Sequence, residues 1–243
     1  MSSGFELTLP ASGGAPETPA FAILPAGAQR GVVVIHEIFG RQPEIDRVVE
    51  RFGAEGYAAV APDLFHRGKF ACLRDVFRCM KTGDGVAAQQ GRNARTWLCE
   101  RAALAPERIG LIGFCFGGGF ALSAGAGWGA ISANYAHLPS RRAMEGLGPV
   151  IACYGERDKT LKKAPEQLRK RLGAMGHGAS EVHVFDAGHS FLTDGKVHFL
   201  QKISPMAVGD YPQAREEGWS KIFAFFDRQL QITERDPRLM TRR

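Results

Sequence analysis

The sequence predicts an α/β domain: a mostly parallel central sheet with helices on both faces. Two patterns carry that prediction. Short β-branched or aromatic runs alternate with segments of helical period from Gly31 almost to the C-terminus. The runs are also continuously apolar, as in GVVVI and YAAVA, which is how strands read when both sheet faces are covered. A length of 243 residues, 44% hydrophobic and 23% charged, suits one domain with a substantial core spanning 1–243.

Taken in order, residues 5–10 (FELTLP) and 20–25 (AFAILP) flank the turn-rich stretch ASGGAPETP and predict an antiparallel pair at a sheet edge. Residues 31–37 (GVVVIHE) form a buried strand. Residues 44–55 follow as a helix, with Ile45, Val48, Val49 and Phe52 at helical spacing and Gly56 ending it. Residues 57–64 form a second buried strand. Residues 65–84 read as irregular, carrying Arg67, Lys69, Arg74 and Arg78 among aromatics. Residues 86–101 are helical, with Ala94, Trp97 and Leu98 on one side. Strands are expected at 109–112, 131–136, 150–154 and 181–186, and a helix at 163–175 with Leu168 and Leu172 inward. Trp219, Ile222, Phe223, Phe226 and Leu230 define a C-terminal amphipathic helix, and the charged tail from 233 to 243, which contains Pro237, is expected to fray.

Composition excludes several function classes. The net charge of +6 is mild and its arginines are scattered, so no nucleic-acid partner is expected. No run approaches the ~18 apolar residues of a membrane span, and the first residues carry no secretory pattern. A cytoplasmic location is the expectation. Five cysteines at irregular spacing suggest neither a disulfide framework nor zinc. His66, His137, His177, His183 and His198 form no metal-binding spacing, so no metal or cofactor is expected.

The densest chemical signal is IGLIGFCFGGGF, residues 109–120. Gly113-Phe114-Cys115-Phe116-Gly117 is the nucleophile-elbow pattern G-x-S-x-G with sulfur in place of oxygen. Such an elbow turns sharply from strand to helix, and side chains at the two glycines would collide with neighbouring backbone. A thiol there also sits at a helix N-terminus, whose partial positive charge favours thiolate. Cys72, Cys79, Cys99 and Cys153 lack this context and read as packing or loop thiols.

Parallel sheets build sites beyond the carboxyl ends of their strands. The residues just past the expected strands include His36-Glu37, Cys115, Asp158 in YGERD and His189 in AGHSF. The order nucleophile, acid, histidine is that of α/β-hydrolases. His189 can take the Cys115 proton and return it to a leaving oxygen, and Asp158 can fix the imidazole tautomer. Glu37, at the end of a buried strand, requires a partner: the thiol, or an arginine such as Arg41 or Arg67.

Together, His36-Glu37-Ile38-Phe39-Gly40, Ala61-Pro62-Asp63-Leu64, Gly113-Phe114-Cys115-Phe116-Gly117-Gly118, Asn134-Tyr135 and Gly188-His189-Ser190-Phe191 resemble the dienelactone hydrolase family, in matching order. The resemblance implies an α/β-hydrolase fold and a triad of Cys115, Asp158 and His189. It implies that Glu37 contacts the resting thiol, and that the backbone N–H groups of Ile38 and Phe116 form the oxyanion hole. Family members that bind an acidic dienelactone place an arginine four residues after the catalytic histidine, and here that position is Thr193. Tyr135, Thr193 and Arg67 are the candidate substrate contacts, with Arg74 and Arg78 as further arginines in that region.

The expected function is hydrolysis of a small ester or lactone through a Cys115 acyl-enzyme, by a monomer or homodimer. The alternatives are a ligand sensor on a hydrolase scaffold with little turnover, and a thiol redox protein that uses Cys115.

Overall fold

The computed structural model describes residues 3–193 and 204–231. The tail from Thr233, and His198, lie outside the described residues. Eight strands form one sheet in the order β1-β2-β4-β3-β5-β6-β7-β8. β1 (Phe5–Leu9) pairs antiparallel with β2 (Thr18–Ile23), and β2 pairs antiparallel with β4 (Ala58–Pro62). β3 (Gly31–Ile35), β5 (Ile109–Phe114), β6 (Ala130–Asn134), β7 (Val150–Gly155) and β8 (Glu181–Phe185) continue in parallel from β4. The opening pair occupies the edge, as expected from its turn-rich connection.

The central strands are buried along their whole length, which explains why they read as continuous apolar runs. α1 (Pro43–Ala54) buries Ile45, Val48, Val49 and Phe52. The Phe52 ring meets Trp219, Phe223 and Phe226 of the C-terminal helix, Pro212–Gln229, here called α6. Those two helices therefore share a sheet face. In α6 the buried aromatics are Trp219, Phe225 and Phe226, while Phe223 is only partly buried. The second sheet face carries α3 (Val86–Ala102) and α4 (Phe116–Ala124). Gly110 of β5 lies under Phe226 and Gly113 lies under α4, and their odd spacing puts them on opposite faces of the strand. α5 (Ala164–Ala174) buries Leu168 and Leu172, as the sequence predicts.

One sequence expectation is corrected. Residues 65–84 are not irregular: Lys69–Thr82 is a helix, α2, ended by Gly83 in the left-handed conformation at φ 78°. Its inward stripe is Cys72, Val76 and Cys79, with Leu73 and Met80 partly buried. Cysteine and valine make a faint apolar face, and Arg74, Arg78 and Lys81 interrupt it. The period of 3.6 is present but low in contrast. Among the described residues, no helix is long and apolar enough to cross a membrane.

Candidate active site

β5 delivers Cys115. Its backbone stands at φ 54°, ψ −112°, a conformation L-residues rarely adopt, and Phe116 begins α4 immediately after it. Two glycines permit that turn. A Cβ on Gly113 would lie 2.0 Å from the Gly117 carbonyl oxygen, and one on Gly117 would lie 2.5 Å from the His36 carbonyl oxygen. Backbone cannot yield to such contacts, so the elbow requires both glycines. The Cys115 N–H donates to the Asn134 carbonyl at the end of β6 (2.9 Å), anchoring the turn to the neighbouring strand. Cys115 remains partly accessible, whereas Cys72, Cys79 and Cys153 are buried. All five cysteines are free thiols. Burial pushes the Cys79 thiol up to about 12 and Cys153 also well above its ordinary value, so both are held as neutral packing groups.

Asp158 follows β7 and His189 follows β8. Their side chains meet at 2.6 Å between Asp158 Oδ2 and His189 Nδ1, with both nearly excluded from solvent. The other Asp158 oxygen, Oδ1, accepts from the Thr160 N–H (2.9 Å) and the Thr160 hydroxyl (2.5 Å). Burial alone would raise the Asp158 carboxyl, but the bonds from His189 and Thr160 outweigh it and hold that carboxyl below its ordinary value. Burial opposes a charged His189 as well. Asp158 on one nitrogen and the Cys115 sulfur near the ring overcome this and push the imidazole up to about 10. The buried His189 Nε2 is left without a hydrogen-bond partner among the described residues. The His189 N–H donates to the Met206 carbonyl (2.8 Å), so the segment entering α6 pins the histidine loop.

Glu37 lies just past β3, and its partners differ from those anticipated. Arg41 is taken by Glu6 and Asp46, and the exposed Arg67 by Asp75 at 3.0 Å, so neither is bound to Glu37. The Glu37 Oε1 instead accepts from the hydroxyls of Ser190 (3.1 Å), Thr193 (3.4 Å) and Tyr135 (3.5 Å). The Cys115 thiol is not among its hydrogen-bond partners within the described residues. Burial raises the Glu37 carboxyl above the usual carboxylate range, while charge attraction to His189 and the three hydroxyls pull the other way. Tyr135 is wholly buried, with its ring centroid 4.9 Å from that of His189, so it supports the site from behind. Thr193 is buried, and its one hydroxyl hydrogen is shared between the Ser190 carbonyl (3.1 Å) and Glu37 (3.4 Å), with the Tyr135 hydroxyl 3.4 Å away.

Ser190 and Thr160 are site residues that sequence reasoning assigned no role. Ser190 was visible in the G-H-S-F run, but nothing local says that its hydroxyl reaches a carboxylate 153 positions away. Three of the five non-glycine residues at positive φ among the described residues, Cys115, Tyr135 and Ser190, surround this one site. Strained backbone gathers where side chains must be aimed. Phe116 is the first residue of α4, where an N–H has no intrahelical acceptor. Ile38 follows Glu37 in a turn closed by the Gly40 N–H on the Glu37 carbonyl (3.2 Å), which leaves the Ile38 N–H outside that bond.

Comparison with known proteins agrees with this architecture. The chain is similar to a carboxymethylenebutenolidase of Rhodococcus opacus, with 27% identity over 239 residues that cover 85% of this chain and 84% of the relative. A dienelactone hydrolase structure from Anabaena variabilis superposes with a TM-score of 0.68 at 18% identity, covering 95% of this chain and 99% of that one. A dienelactone hydrolase-like promiscuous phosphotriesterase from metagenomic libraries reaches a TM-score of 0.74 at 18% identity, covering 94% and 98%. At such identities the structures speak for the fold, which is that of the α/β-hydrolases. The model of the dienelactone hydrolase family matches residues 18–230, and the chain belongs to that family.

Proposed function

We propose that the protein is a carboxylic ester hydrolase that cleaves a small ester or lactone through a thioester on Cys115. The observation that carries this reading is the strained Cys115 at the head of α4, beside a His189 hydrogen-bonded at 2.6 Å to Asp158. In the proposed reaction His189 holds on Nε2 the proton given up by Cys115, consistent with its raised proton affinity, and the sulfur attacks the carbonyl carbon. The carbonyl oxygen gains negative charge between the Ile38 and Phe116 N–H groups, each such donor typically contributing a factor of ~10²–10³ in rate. As the intermediate collapses, the carbon–oxygen bond breaks and His189 gives its proton to the leaving oxygen. Water then adds to the thioester while His189 accepts its proton, and the returning proton restores the thiol as the acid leaves. Asp158 keeps the imidazole in the tautomer that presents Nε2, and its charge balances the imidazolium.

Glu37 is proposed to assist by its charge. It attracts the His189 proton and is itself easily protonated because burial raises it.

On substrate polarity, the candidate contacts favour a group without a carboxylate. Thr193 stands at the expected arginine position and its hydroxyl is already bonded to Glu37, while Arg67 is bonded to Asp75. The exposed Phe77, which packs edge-on against Phe116 at a centroid distance of 5.6 Å, adds an apolar surface next to the elbow.

The test is turnover of neutral aryl esters, neutral lactones and acidic lactones by wild type and Cys115→Ala. Cleavage by wild type and none by the variant supports the reading. Equal turnover by both defeats it.

A further inference from the structure

We propose that His36 is a positioning residue for the oxyanion hole: its imidazole orients the Glu37–Ile38 peptide so that the Ile38 N–H faces the reacting carbonyl. This rests on the role given above to the Ile38 N–H and adds the residue that would hold it there.

His36 is buried at the end of β3, and both ring nitrogens are engaged. Nε2 lies 3.1 Å from the Leu64 N–H, and Nδ1 lies 2.7 Å from the Glu37 carbonyl oxygen. The backbone settles the tautomer, because an N–H can only donate and a carbonyl can only accept. Nε2 therefore carries the lone pair and Nδ1 carries the hydrogen. Burial lowers the proton affinity of the ring, which keeps this neutral form in place at ordinary pH despite Asp63, whose Oδ1 is 3.7 Å from Nε2. The Phe65 ring, at a centroid distance of 4.7 Å, packs edge-on against the imidazole and limits its rotation.

The consequence lies in peptide geometry. The Glu37 carbonyl and the Ile38 N–H belong to one planar trans unit, so they point in opposite directions. Two donors, His36 Nδ1–H and the Gly40 N–H, clamp the carbonyl on one side. The Ile38 N–H is thereby directed to the other side. Without the imidazole donor, only the longer Gly40 bond at 3.2 Å would resist rotation of this peptide. The Leu64 contact ties the same ring to the end of β4, so the clamp is referenced to two strands.

Two substitutions separate the two nitrogens. His36→Asn keeps a donor at the Nδ1 position, two bonds from Cβ, and loses the acceptor for Leu64. His36→Gln keeps an acceptor able to reach Leu64 and moves its donor one bond beyond the Nδ1 position, away from the Glu37 carbonyl. Each is assayed for kcat and KM on a neutral aryl ester, and for the rate at which iodoacetamide alkylates Cys115, a reaction that needs the thiolate but no oxyanion hole. The expected result is a kcat loss of roughly 10²-fold in His36→Gln, the size of one lost oxyanion donor. KM and alkylation rate should stay within about threefold of wild type, and His36→Asn should keep kcat within about fivefold. Equal kcat in His36→Gln and wild type, a greater loss in His36→Asn, or a parallel fall in alkylation would each overturn the assignment. If wild-type turnover survives complete alkylation of Cys115, the cysteine mechanism fails instead, and the two failures are told apart.

Discussion

The Ser190 hydroxyl lies 3.1 Å from the Glu37 carboxylate, and Ser190 is the residue directly after His189. The carboxylate past β3 is thereby tied to the loop that carries the candidate base, rather than to an arginine. That bond, with those from Thr193 and Tyr135, opposes the burial that raises the Glu37 carboxyl.

Removing Ser190 and Thr193 hydroxyls should raise the Glu37 carboxyl further, since both hydrogen bonds favour its charged form. In Ser190→Ala/Thr193→Val the acidic limb of the kcat/KM profile should move to higher pH. Rates measured from about pH 4 to 9 check this. An unmoved limb would show that Glu37 does not titrate in the step observed.

Asp158→Asn should lower kcat by roughly 10³–10⁴-fold, because an amide can hold the imidazole in the wrong tautomer. Single-turnover kinetics with an aryl ester give the comparison, and circular dichroism checks that the fold persists. A loss under tenfold would remove Asp158 from the triad.

Stability should depend on pH through the same pair. The folded-state value of His189 is raised from 6.5 to about 10, so the native state holds a proton that the unfolded chain releases between those values. Its contribution is fully present below the unfolded value and is lost as pH rises through about 10. Asp158 is shifted the opposite way, and its contribution is lost as pH falls through its lowered folded value. The urea midpoint of wild type relative to His189→Gln should therefore shrink between about pH 6 and pH 10. A difference that grows over this range would contradict the sign.

Gly117→Ala should destabilise the fold by about 3 kcal/mol or more, the upper end of overpacking costs, because its Cβ would meet backbone oxygens of two residues at 2.5 and 2.6 Å. Thermal unfolding measures this, with Gly173→Ala as the control, since a Cβ there meets nothing within 4 Å. Comparable melting temperatures for the two variants would mean that the elbow tolerates a side chain.

The sheet was legible in the sequence wherever burial on two faces produced long apolar runs, as in β3 and β5, and the elbow was legible because its glycines are a local steric demand. α2 was not, because among its described side chains the buried positions are Cys72, Val76 and Cys79, too weakly apolar to stand out against the arginines between them. In α6, Phe223 and Phe225 flank the Trp219–Ile222–Phe226 stripe on opposite sides, and the fold buries Phe225 fully while Phe223 is partly buried against Phe52. The partners of Glu37 were hidden for a different reason. Tyr135, Ser190 and Thr193 lie 98, 153 and 156 positions away in the chain, and hydroxyl side chains carry no local mark of a distant carboxylate.

The central claim is that acyl transfer passes through the Cys115 sulfur, and acid quenching during turnover tests it most directly. Wild type mixed with an excess of a p-nitrophenyl ester is quenched within the first turnovers, digested and mapped by mass. The account predicts one acyl group on the peptide that contains Cys115, released by neutral hydroxylamine as a thioester would be. An acyl group on Ser190 instead, or undiminished turnover by Cys115→Ala, would contradict it.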